Sequence, residues 1–114
     1  MQIQINTDHN LKGGEPLATS VRATVEDALS HYAAHITRVE VHLADENGQK
    51  GGRDDKRCMM EARLEGHASL AVTHHAATVG QAIDGAAERL AHLLERTLAR
   101  LHGHRGHAVA PLVD

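Results

Sequence analysis

The apolar residues of this 114-residue chain repeat with two different periods, in an order that leaves few folds open. Gln2-Ile3-Gln4-Ile5-Asn6 alternates strictly, as a half-buried strand requires. Asn10, Gly13 and Gly14 then break the chain, and Leu17, Val21, Val25, Ala28, Leu29 and Tyr32 recur at helical spacing to about residue 34, with Glu15 and Pro16 suited to the first turn. Alternation returns over Ile36 to Ala44, with Val39, Val41 and Leu43 on one face and Arg38, Glu40 and His42 on the other. A polar, mobile loop is expected from Asp45 to Asp55, with Asn47-Gly48 and Gly51-Gly52 as turn formers. A third strand follows from about Lys56 to Glu65, with Cys58, Met60, Ala62 and Leu64 inward, and a fourth from Ser69 to His75. Thr78 reads as the N-cap of a last helix that buries Val79, Ile83, Ala86, Leu90, Leu93, Leu94 and Leu101.

The expected fold is α+β, a two-layer β-α-β-β-β-α sandwich. A strand-helix-strand unit makes the first two strands parallel, and the short links that follow make the rest antiparallel, giving a four-stranded mixed sheet. Each helix has one apolar stripe and the sheet one apolar face, so both helices pack on the same side. The other face, with Gln2, Gln4, Arg38, His42, Arg57, Arg63 and Thr73, is left polar. Residues 1–101 form the domain, and the Gly- and His-rich stretch 102–114 reads as a flexible tail.

Composition narrows the function. Tyr32 is the sole aromatic residue, so the core is aliphatic and supplies little material for a deep small-molecule pocket, which weighs against an enzyme. A single cysteine, Cys58, excludes an internal disulfide and suits a reducing compartment, and its strand parity points it inward, away from nucleophilic work. Neither a signal sequence nor a long apolar run is present, so a cytoplasmic protein with no membrane contact is expected. Gly51-Gly52 lacks the Lys-Ser/Thr and helix of a phosphate-binding loop. No cofactor is implied.

The net charge of −3, with histidines neutral, is not that of a general nucleic-acid binder. Its distribution is more informative. Residues 1–35 hold two cations against four anions, whereas from Arg89 onward four arginines stand against Glu95 and Asp114. On a helical wheel Arg89, His92, Arg96 and Arg100 fall within roughly 80° and span about 17 Å, with Asp84, Glu88 and Glu95 on a neighbouring sector. A spaced row of guanidinium forks matches spaced phosphates, although a solvated face of paired charges has the same pattern. The sheet adds Arg38, Lys56, Arg57 and Arg63, which Glu40 and Glu61 could neutralise across strands. Histidine is frequent, at eleven residues. Yet His74 and His75 point to opposite faces, and His102-x-His104-x-x-His107 lacks a rigid frame, so no metal site is expected.

The order of elements, the segment Ile36-Thr37-Arg38-Val39-Glu40-Val41-His42-Leu43, and the helix opening Ala82-Ile83-Asp84 followed by Arg89-Leu90 resemble the ribosome hibernation-promoting factor / ribosome-associated inhibitor A family over about residues 1–101. The resemblance implies a short form without the dimer-forming domain, a monomer off the ribosome. It also implies a non-enzymatic protein that binds small-subunit ribosomal RNA near the decoding region, inhibits translation and promotes ribosome hibernation in stress or stationary phase. The family's cationic surface would fall on Arg38, Lys56, Arg57, Arg63, Arg89, Arg96 and Arg100. Two alternatives stand beside it: a protein-interaction module of the same fold, and a histidine-based metal- or pH-responsive binding protein.

Overall fold

The structure, a computed structural model, describes residues 1–8, 11, 14–46, 55–66 and 69–107, with backbone alone for 102–107. Strand β1 (Gln2–Thr7), helix α1 (Glu15–Ala28), a 3-10 helix (Ser30–His35), strands β2 (Ile36–Asp45), β3 (Lys56–Leu64) and β4 (Ser69–Ala76) and helix α2 (Val79–His107) follow in the expected order. The sheet runs β1-β2-β3-β4, with β1 and β2 parallel and the other pairs antiparallel. Only a crossover can join adjacent parallel strands, and α1 supplies it.

Both helices lie on one face. Val21, Val25 and Leu29 meet Val39, Val41, Met60 and Ala62 from the sheet and Ala82, Ile83, Ala86, Leu90 and Leu94 from α2 in one core. These side chains are 0–3 % exposed, which at about 1.5–3 kcal/mol for each large aliphatic group is the main force holding helices to sheet. Thr37 forms a bulge: Ile36 pairs with Leu64 and Arg38 with Arg63, leaving one extra residue on β2. Its hydroxyl donates to the Arg63 carbonyl at 3.2 Å. The bulge lets Ile36 and Val39 both face the core although three residues apart.

Helix ends follow local chemistry. Gly14, at φ 103°, opens α1, and Glu15 and Pro16 occupy its first turn. The α-helix stops at Ala28 rather than running to residue 34, and the chain tightens into the 3-10 turn. The Ser30 hydroxyl donates to the Asp27 carbonyl at 3.3 Å, competing for an acceptor at the helix end. At α2 the Thr78 hydroxyl accepts from the Gln81 amide at 3.1 Å, the expected N-cap. This helix continues to His107, six residues past Leu101, where the sequence suggested a tail. No proline intervenes, and extending a formed helix costs far less than starting one. Residues 108–114 and the loop stretch 47–54, with its Asn-Gly and Gly-Gly turns, lie outside the described residues.

Candidate nucleic-acid interface

Strand parity sorts the candidate cations before any distance is measured. On the outer face, register aligns Gln2, Arg38, Arg63 and Ser69 in one row, Gln4, Glu40, Glu61 and Ala71 in the next, then Asn6, His42, Met59 and Thr73, and finally Ala44, Arg57 and His75. Like charges sit directly opposite one another, an arrangement that diagonal partners must offset. Arg38 reaches Glu40 at 2.8 Å, and the other oxygen of Glu40 meets His42 at 3.4 Å. At the far end Glu46 lies 3.1 Å from Arg57 and 3.3 Å from His75. Arg38 and Arg57 are therefore neutralised on this face, while Arg63 and Glu61 have no ion-pair partner among the described residues.

Lys56 is elsewhere. It shares the inward parity of Cys58 and Met60, at the end of the sheet, with its ammonium 2.9 Å from Asp55 and 3.6 Å from Asp45. The hydrogen bond from Lys56 holds the Asp55 carboxyl below its ordinary range, and Asp55 in turn raises Lys56. This ammonium ties the ends of β2 and β3 together.

Arg63, Arg89, Arg96 and Arg100 are exposed and have no carboxylate partner among the described residues. The three on α2 are held by the burial of Leu90, Leu94 and Leu98 on the opposite side of the same turns. Arg89, His92 and Arg96 overhang β4, and with Leu93, Ala71, Val72 and Thr73 they line an open cleft of about 350 Å³ along that edge of the sheet. The other flank of α2 faces α1 across a larger groove of about 530 Å³, rimmed by Asp27, Asp84 and Glu88. Anions are thus favoured beside β4 and repelled between the helices. The charge segregation read on the wheel becomes a choice of side.

The seven candidates accordingly divide. Arg89, Arg96 and Arg100 form one uncancelled ridge, Arg63 stands one strand in from the same edge, and Arg38, Arg57 and Lys56 are each held by carboxylates. Two contributors were not among the seven candidates. Thr73 lines the cleft because β4 is an edge strand, and Arg22 of α1 joins Arg38 and Gln4 around a cleft of about 400 Å³ at the β1 edge. Neither sits in a charge pattern that one-dimensional reading could isolate.

Cys58 and the histidines are the remaining candidates for chemistry. Cys58 is fully buried, and burial pushes its thiol up to about 12, so the thiolate needed for nucleophilic attack is not formed near neutrality. Among the described residues no three His, Cys, Asp or Glu side chains converge as ligands. The side chains of His102, His104 and His107 lie outside the described set. No helix among the described residues is long and apolar enough to cross a membrane.

Comparison with known proteins places this geometry. Similar solved structures include the Thermus thermophilus Protein Y N-terminal domain, at TM-score 0.69 and 21% identity, covering 85% of this chain and 99% of that one, and a ribosomal subunit interface protein from Coxiella burnetii, at TM-score 0.67 and 15% identity, covering 87% and 99%. At those identities the likeness establishes the fold. No curated protein matches the chain. The family model described as sigma 54 modulation protein / S30EA ribosomal protein matches residues 3–102, nearly the whole described body. The chain therefore belongs to the sigma 54 modulation protein / S30EA ribosomal protein family of ribosome-associated factors.

Proposed function

We propose that the protein binds small-subunit ribosomal RNA near the decoding region, where messenger and transfer RNA would sit, and keeps idle ribosomes inactive by occupying that space. The single observation that carries the reading is the uncancelled ridge Arg89-Arg96-Arg100, whose first two arginines line the cleft at the β4 edge, in a chain whose net charge is −3. A protein that is acidic overall is repelled by RNA except where one surface is locally cationic, so the ridge fixes both the orientation of approach and the affinity. Guanidinium forks at steps of seven and four residues, about 10 Å and 6 Å along the helix, can each take a phosphate oxygen pair. The action is steric and needs no covalent step. The protein works as a cytoplasmic monomer whose partner is the small subunit.

Co-sedimentation with purified small subunits tests this. At low salt the wild-type protein pellets with the subunits, and Arg96→Glu with Arg100→Glu releases it to the supernatant. Retention of that double variant at wild-type level would remove the helix, and with it the electrostatic basis of the proposal.

A further inference from the structure

The outer face of the sheet carries the same arrangement twice. Glu40 is shared between Arg38 at 2.8 Å and His42 at 3.4 Å, and Glu46 between Arg57 at 3.1 Å and His75 at 3.3 Å. In each set one carboxylate stands between a permanent cation and an imidazole, and imidazoles as a class change charge between about pH 5 and 8. With both histidines neutral the face is balanced. With both protonated each set carries one net positive charge, and Arg63 lies directly opposite Arg38 without a carboxylate partner among the described residues.

We propose that this face is a second RNA-binding surface, opened by protonation of His42 and His75. RNA is the partner that fits because the face is open and polar, and its cations stand in rows about 20 Å apart, six residues along the strands. It also meets the α2 ridge at the β4 edge, where Ala71 and Thr73 belong to both surfaces. A backbone lying along the ridge can continue over the edge onto Arg63 and Arg38. The choice of RNA rests on the function proposed above, whereas the proton dependence does not.

The surroundings of both imidazoles admit the switch. His42 faces Glu40 on its own strand, Asn6 across β1, Met59 across β3, and Glu61 and Arg57 on the β3 diagonals, with Asp8 following β1. His75 faces Arg57 across β3, Thr73 on its own strand and Glu46, and β4 has no strand beyond it. Neither helix covers this side, so a proton reaches both rings from water.

The test is fluorescence anisotropy with a labelled single-stranded RNA of about 20 nucleotides, a length that spans both surfaces, at about pH 7.5 and about pH 6. The wild-type protein should gain about tenfold in affinity on acidification, the size expected for two added phosphate contacts at moderate salt. His42→Gln with His75→Gln should lose most of that gain, and Glu40→Gln with Glu46→Gln should bind at neutral pH as the wild type does in acid. An undiminished gain in the double histidine variant, or no tightening in the double glutamine variant, would overturn the proposal. An equal gain with a polyglutamate probe would overturn RNA as the partner. Arg89→Gln with Arg96→Gln and Arg100→Gln separates the two ideas: weak binding at neutral pH tests the ridge, and a retained gain in acid supports the sheet surface on its own.

Discussion

Replacing Gly85 by alanine would place a methyl group where the imidazole of His74 now lies. A Cβ built at Gly85 overlaps Cδ2 and Nε2 of that ring and stands 2.7 Å from its Cγ. His74 belongs to the inward set of β4, beside Cys58 of β3, and its ring fills the space under α2 that a missing side chain leaves open. The substitution therefore brings two opposing effects. Alanine at a helix interior gains about 1 kcal/mol over glycine. Forcing a methyl into filled space costs about 1–3 kcal/mol, because the ring must leave its rotamer or α2 must lift from β4. From the middle of that range a net loss of about 1 kcal/mol is expected, a fall in Tm of about 4 °C for a domain of this size. In a His74→Ala background the clash disappears and the same substitution becomes stabilising by about 1 kcal/mol, which gives a coupling energy of about 2 kcal/mol. Thermal and urea unfolding of the four proteins measure it. If Gly85→Ala alone left stability unchanged or raised it, the ring would not be wedged there and the height of α2 over β4 would need another explanation. The consequence for binding is direct, since that height sets the width of the cleft between Thr73 and the arginines.

Three further outcomes follow from other contacts. Thr78→Ala should cost about 1 kcal/mol by removing the acceptor for the Gln81 amide, and Thr78→Ser should restore it, as chemical denaturation would show. Cys58 should react with a thiol reagent only as fast as the protein unfolds, because its thiol is buried and held far from ionisation; fast labelling under native conditions would contradict this. The Asp55–Lys56 pair should make stability pH-dependent at both extremes. Asp55, lowered in the folded state, stabilises above its ordinary value of 3.8 and loses that contribution as pH falls through the folded value. Lys56, raised, stabilises below 10.5 and loses its contribution as pH climbs past that. Lys56→Met should flatten both limbs in urea midpoints measured across pH.

Much of the architecture could be read from the sequence because period and parity are local. The strand alternation around Val39-Val41-Leu43 and Cys58-Met60-Ala62 placed the core, and the wheel positions of Arg89, Arg96 and Arg100 placed the ridge. What escaped depends on neighbours distant in sequence. Arg57, Glu46 and His75 meet only once register closes β2, β3 and β4, so the cancellation of the sheet arginines was invisible in one dimension. Lys56 adjoins Arg57 in the chain but faces the other way, and Asp55 captures it there. The early end of α1 turns on the Ser30 hydroxyl, a competition that apolar spacing does not register.

The claim on which the account depends is that the α2 arginines, and not the sheet cations, hold RNA at neutral pH. The salt dependence of binding to isolated small subunits measures it most directly. Arg89→Gln with Arg96→Gln and Arg100→Gln should flatten the slope of log affinity against log salt by about 2–3 units, while Arg38→Gln with Arg57→Gln leaves it nearly unchanged. A slope untouched by the helix substitutions, or flattened equally by the sheet substitutions, would contradict the account.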